Sequence, residues 1–217
     1  MFLSFEGVDG CGKSTQLELL RARLENLGCD VVATREPGGT GLAEAIRGFL
    51  LDGEQKISPA AELLLFGAAR AQHVGEIIRP ALERGAIVLS DRFADSSLAY
   101  QGGGLHLDAD FIAQMNRFAT ENLQPDLTFF LDLDAQIASA RRAAKGNDRI
   151  EARGVGFQNR VRQSFQEIAA AQPQRVVTLD ANSPAESLHN RIVEILLERN
   201  LWPQFVGAKH SRAIYDS

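Results

Sequence analysis

The chain has 217 residues, 45 % of them hydrophobic and 24 % charged, which excludes a disordered polymer and leaves enough apolar mass for one large core. A formal net charge of -5 argues against a nucleic-acid polymer as partner, because neutralising many phosphates needs a basic face; any phosphate site must be local. Cys11 and Cys29 are too few for a disulfide framework and fit a reducing cytoplasm, and Met1 to Gly7 carries neither a basic leader nor a run approaching the ~20 residues of a membrane span.

In chain order, Phe2 to Glu6 reads as a short, mainly apolar strand interrupted by Glu6. Leu17, Leu20, Leu24 and Leu27 then recur at helical spacing, with Gly28 placed to end the helix. Asp30 to Thr34, Ala86 to Asp91, Leu127 to Asp132 and Arg175 to Asp180 read as four further strands. Ser58-Pro59 opens a helical region that runs to Gly85 and should kink or end near Arg79, since Pro80 cannot donate to an earlier carbonyl. Ser183, Pro184 and Glu186 form a capping-box start for the last helix, and from Trp202 to Ser217 the periodicity is lost. Nearly continuous apolar runs separated by helices predict an α/β fold: a five-stranded parallel sheet with helices on both faces, in a single domain over residues 1–217.

The strongest motif is Gly7-Val8-Asp9-Gly10-Cys11-Gly12-Lys13-Ser14, which fits G-x-x-x-x-G-K-[ST], follows the first strand and opens the first helix. Glycines let successive N–H groups turn toward phosphate oxygens. Lys13 reaches the outer phosphates, and the Ser14 hydroxyl, followed by Thr15, suits Mg²⁺. Residues 7–15 are the expected phosphate loop. Asp9 is unusual there, because polyphosphate repels a carboxylate unless it faces elsewhere, toward an acceptor. Asp91 ends an apolar strand as a metal-holding acid does. A GTPase switch is disfavoured, since the chain has no Asn-Lys-x-Asp motif and its only Asp-x-x-Gly lies inside the phosphate loop.

Thr34-Arg35-Glu36-Pro37-Gly38-Gly39-Thr40 stands at the C-terminal end of the second strand, where ligands of open α/β sheets gather. Together with Asp91-Arg92-Phe93, Ser96-Ser97 and Ala99-Tyr100-Gln101-Gly102, it resembles the thymidylate kinase family over most of residues 1–182. The resemblance implies a P-loop nucleoside-monophosphate-kinase fold, ATP and dTMP as substrates with ATP bound at residues 7–15, and a cytoplasmic homodimer with no membrane attachment. It implies that Arg35 and Arg92 hold the dTMP phosphate, a role suited to planar guanidinium forks. Phe66 and Arg70, four residues apart on one helical face, would stack on thymine and hydrogen-bond its edge. Ser97 and Gln101 would complete that pocket, with Pro37, Arg47 and Tyr100 beside it, and Asp9 would meet the deoxyribose 3′-hydroxyl.

Residues 141–154 are rich in cations and flanked by glycines, which predicts a lid. The segment resembles the lid of bacterial thymidylate kinases, which supplies a catalytic arginine that the phosphate loop lacks. Arg149 is the expected catalytic residue, Arg142 and Arg153 its companions, and Arg141 the residue that stacks on adenine. A deoxynucleoside kinase is the alternative, but its neutral hydroxyl acceptor has less use for two phosphate-binding arginines. Another nucleoside-monophosphate kinase of the same fold is a further alternative. A non-catalytic nucleotide-binding module should have lost a key position, yet Lys13, Ser14, Asp91 and Arg92 are all present.

Overall fold

The computed structural model describes residues 1–142 and 148–203; the middle of the expected lid and most of the expected tail lie outside the described residues, as does the side chain of Arg142. Its strands are β1 Phe2–Glu6, β2 Val31–Arg35, β3 Ile87–Asp91, β4 Leu127–Asp132 and β5 Val176–Asp180. They form one parallel sheet in the order β2-β3-β1-β4-β5. All the expected strands are present. β2, β3 and β5 start one residue later than the apolar runs suggest, and β2 extends to Arg35, which pairs with Asp91 of β3.

Helices α1 Lys13–Asn26, α2 Gly41–Leu51, α3 Pro59–His73, α4 Arg79–Glu83, α5 Ala94–Ser97, α6 Ala109–Thr120, α7 Ala135–Arg142, α8 Gly154–Ala171 and α9 Ala185–Glu198 connect and cover the strands. The period-2 alternation of the strands supplies both layers. Leu3, Phe5 and Leu89 join Leu17, Leu20 and Leu24 of α1 and Leu188 and Ile192 of α9 in the larger core. Phe2 and Val88 point the other way, onto Val74, Ile78 and Ala81. On that second face Phe130 stacks on Phe165 of α8, ring centroids 5.3 Å apart.

Helix α1 ends as its glycine predicts. Gly28 has φ +80, its N–H donates to Glu25, and the Cys29 N–H reaches back to Leu24, which satisfies carbonyls the last turn would leave open. The last helix departs from expectation. α9 starts at Ala185 with Pro184 as its cap residue and no side-chain cap, because the Ser183 N–H is engaged by Asp180 in a turn and has no need of Glu186. The break near Pro80 is also milder than expected: α3 runs into a π-helical stretch, Val74–Ile78, and α4 restarts at Arg79. The wider turn absorbs the missing proline donor without ending the helical run.

All five strands end on a charged residue, Glu6, Arg35, Asp91, Asp132 and Asp180, so the C-terminal edge of the sheet is ionic over an apolar core. Ligand sites of open α/β sheets belong at that edge. Among the described residues, no helix is long and apolar enough to cross a membrane.

Candidate active site

The loop from Gly7 to Ser14 turns directly off β1 into α1. Gly7 has φ +138, and a Cβ there would stand 2.6 Å from the Leu131 carbonyl oxygen; Gly12, the cap residue of α1, has φ +101. Neither position suits an L side chain. Lys13 lies along the loop, with Nζ 3.1 Å from the Val8 carbonyl and 3.3 Å from that of Gly7. Ser14 Oγ donates to Asp91 Oδ2 across 2.6 Å, which joins α1 to the end of β3. A hydroxyl and a carboxylate side by side are the hard oxygen donors that suit Mg²⁺ with several retained waters.

Arg92 follows Asp91 with φ +75, a backbone setting that L residues seldom adopt. Its guanidinium compensates. Nη1 donates to the Gly7 carbonyl at 2.9 Å and to Ser96 Oγ at 3.1 Å; Nη2 donates to Asp9 Oδ1 at 2.6 Å and to Tyr100 Oη at 2.9 Å. Tyr100 donates in turn to Asp9 Oδ2. Burial opposes the charge on Arg92, but the fields of Asp9, Tyr100, Asp91 and Glu6 outweigh it and lift its pKa well above the ordinary value. Burial likewise raises the Tyr100 phenol.

Two recesses meet at Arg92. The wider cleft, about 1210 Å³, is lined by Asp9, Gly10, Gly12, Lys13, Ser14 and Thr15, together with Arg35, Asp91, Arg92, Arg141 and Glu151. The narrower one, about 500 Å³, is lined by Pro37, Leu51, Phe66, Ser97, Tyr100, Gln101, Asp148 and Ile150. Asp9, Glu36, Arg47 and Arg92 face both. The first wall is polar and cationic, as a polyphosphate requires; the second offers the rings of Phe66 and Tyr100 and the amide of Gln101, as a base requires.

Most expected residues come together here. Arg35 is half-exposed and holds Glu44 through Nη2 at 2.9 Å; the Gly39 N–H, with the charge of Arg35, draws the Glu44 carboxyl below its usual range despite some desolvation. Arg47 donates to the Pro37 carbonyl, and burial, then the nearby charge of Arg35, lowers its pKa. Arg141 of α7 lines the wider cleft and donates to the Ala181 carbonyl, just past the end of β5.

Three expected arginines are placed differently; one of them, Arg153, lines neither recess and gives both terminal nitrogens to Glu62. Arg70 shares a face with Phe66 but is 1 % exposed and lines neither recess. Its donors are taken by Glu36 Oε2 at 2.7 Å, Ser97 Oγ at 2.9 Å, Asn116 Oδ1 at 2.6 Å and the Phe93 carbonyl at 3.1 Å. A guanidinium of five donors placed among four acceptors becomes part of the pocket's frame. Arg149 also lines neither recess: Nε donates to the Leu50 carbonyl at 2.8 Å and Nη2 to Glu62 Oε2 at 2.6 Å.

The buried glutamates of the site, Glu6, Glu36 and Glu62, were the least visible in the sequence. Glu6, fully buried, accepts from the Phe93 N–H at 2.7 Å and from Ser96 Oγ at 2.6 Å. Desolvation, helped by Asp95, pushes its pKa up to about 7 against the pull of Arg92 and these hydrogen bonds. Its one signal was a charge at the end of an apolar strand. Glu36 binds Arg70 and, at 3.1 Å, the His73 ring, whose other nitrogen meets Thr34 Oγ1. Glu62, one turn before Phe66, carried no signal beyond that spacing.

A phosphate-loop cleft and a base-sized recess that meet at Arg47 and Arg92 define a P-loop phosphotransferase of the nucleoside-monophosphate-kinase type. Comparisons with known proteins narrow the class. The family model described as thymidylate kinase matches residues 5–192. A thymidylate kinase of Bifidobacterium longum (strain DJO10A) is 53 % identical over 87 % of this chain and 93 % of its own, and one from Exiguobacterium sp. is 48 % identical over 92 % and 95 %. The crystal structure of thymidylate kinase from Ehrlichia chaffeensis superposes with a TM-score of 0.74 at 36 % identity, covering 90 % of this chain and 98 % of that one. The chain belongs to the thymidylate kinase family.

Proposed function

We propose that the two recesses are the two substrate sites of one reaction, in which the γ-phosphate of ATP passes to dTMP to give dTDP and ADP. The observation that carries this reading is the convergence of the phosphate loop and the base-sized recess on Arg92. ATP lies along Gly7 to Thr15, with Arg141 beside the adenine. dTMP occupies the narrower recess, thymine against Phe66 and the amide of Gln101, with Ser97 and the buried Arg70 behind it. Arg35 and Arg92 bracket the acceptor phosphate, Arg47 adds charge, and Asp9 orients Arg92 and the sugar.

Ser14 and Asp91 would hold Mg²⁺, which when bound offsets polyphosphate charge. The acceptor needs no general base, since a phosphate monoester with a second pKa of about 6 is already ionised at neutral pH. Its oxygen attacks γ-phosphorus in line, while Lys13 and the arginines stabilise the charge on the equatorial oxygens. Arg149 enters this group when it exchanges Glu62 for phosphate. The family match favours the monophosphate acceptor over the deoxynucleoside alternative.

We take the chain as one kinase domain acting in the cytoplasm, in keeping with its free Cys11 and Cys29. It forms a homodimer; in support, Leu64 of α3 and Phe111 and Phe118 of the neighbouring α6 are exposed, Phe118 by 87 %. Light scattering at micromolar concentration tests the dimer. A coupled ADP-release assay with MgATP and dTMP, dUMP, dCMP, dGMP, AMP and thymidine tests the reaction. Clear preference for dTMP is expected; thymidine as best acceptor would transfer the chain to the deoxynucleoside kinases.

A further inference from the structure

Glu62 is 0 % exposed on α3, and its carboxylate is shared by two parts of the site. Oε1 accepts from Gln101 Nε2 at 3.0 Å and from Arg153 Nη1 at 3.1 Å. Oε2 accepts from Arg149 Nη2 at 2.6 Å and Arg153 Nη2 at 2.5 Å. Gln101 is a wall of the narrower recess. Arg149 and Arg153 flank Ile150 and Glu151, of which the first lines the narrower recess and the second the wider cleft.

The segment is itself ordered: Asp148 Oδ1 accepts from the N–H groups of Ile150 and Glu151 at 2.9 Å, and the Arg149 N–H reaches the Leu51 carbonyl. Burial pushes the Glu62 pKa up, but hydrogen bonds from Arg153, Gln101 and Arg149 outweigh it, so the group stays ionised. One buried anion thus faces two guanidiniums and an amide. Such a group is costly to bury and costlier to remove, because its partners are then left uncompensated.

We propose that Glu62 is a positioning residue for phosphoryl transfer: it fixes the Gln101 wall and the Asp148–Arg153 segment together, so that acceptor binding and closure of that segment over the reacting phosphates are one event. The inference rests on the assignment of dTMP to the narrower recess. Occupancy of that recess presses on Gln101 and Ile150, and the shared carboxylate transmits the adjustment to both arginines, from which Arg149 is released toward the phosphates.

The test is E62Q in the full chain, which keeps shape and an acceptor but removes the charge. The KM for dTMP should rise about tenfold, the scale of losing charge-assisted hydrogen bonds, with ATP affinity in the absence of dTMP unchanged. Amide hydrogen exchange should quicken over 148–153 and stay constant in the strands. A merely structural role would lower the active fraction and kcat while leaving the KM fixed. R153Q, which leaves Arg149 on Glu62, should raise the same KM about threefold, and it decides the matter if E62Q does not fold. An unmoved dTMP KM in the folded variant overturns the inference. F66A measured alongside separates the two readings: if F66A alone raises the KM, the acceptor assignment stands without the Glu62 role, and if both leave it flat, both fall.

Discussion

The Ser14 hydroxyl donates to Asp91 across 2.6 Å, so the first turn of α1 and the last residue of β3 present one oxygen pair. The two residues are 77 positions apart in sequence. Their meeting follows from sheet order: β1, which delivers the phosphate loop, lies beside β3, with Phe5 opposite Asp91.

If this pair holds the metal, D91N should shift the Mg²⁺ titration of activity to higher concentration and lower kcat/KM for ATP by about ten- to a hundredfold, the usual range for disturbing a metal's supporting acid. S14A should act in the same direction. The check is initial rate against free Mg²⁺ at fixed ATP. A D91N enzyme with the wild-type Mg²⁺ midpoint would remove Asp91 from the metal site.

Asp9 and Arg92 form the second relationship, at 2.6 Å. Removing the carboxylate in D9A leaves Arg92 tied to Gly7, Ser96 and Tyr100 but without its main counter-charge. The KM for dTMP should rise and kcat fall, together about ten- to a hundredfold, while ATP still binds. R92K should cost more than D9A, because a point charge cannot make the forked contacts. Steady-state kinetics in dTMP with a separate nucleotide-binding titration decides it. Unchanged kinetics in D9A would take Asp9 out of the site.

How far the sequence led is set by the range of each interaction. The phosphate loop was legible because eight contiguous residues determine it, and strand positions because apolar runs are local. Arg35, Arg92, Phe66 and Gln101 were found through a family resemblance, and their convergence at the sheet edge is a product of topology. Arg70 and Arg149 show the limit. Both lie in the stretches the motifs indicated, but which acceptor a guanidinium takes depends on Glu36, Asn116, Glu62 and the Leu50 carbonyl, up to 99 positions away. The Ser183 box failed for a local reason, since its backbone donor is taken by the Asp180 carbonyl in a turn.

Glu6 carries the last prediction. Its pKa in the fold is about 7 against an ordinary 4.5, chiefly through desolvation. Between those values the folded chain keeps a proton that the unfolded chain has released. The stability contributed by this proton is therefore fully present below about pH 4.5 and is lost as pH rises through 7. The whole effect is on the order of 3 kcal/mol. E6Q keeps an acceptor for the Phe93 N–H and no longer titrates. Urea unfolding of both proteins from about pH 5 to about pH 8.5 should show the difference moving in favour of E6Q up to roughly pH 7 and then levelling. A difference constant with pH would mean that Glu6 is ionised throughout, and that Arg92 and the Phe93 and Ser96 hydrogen bonds outweigh its burial.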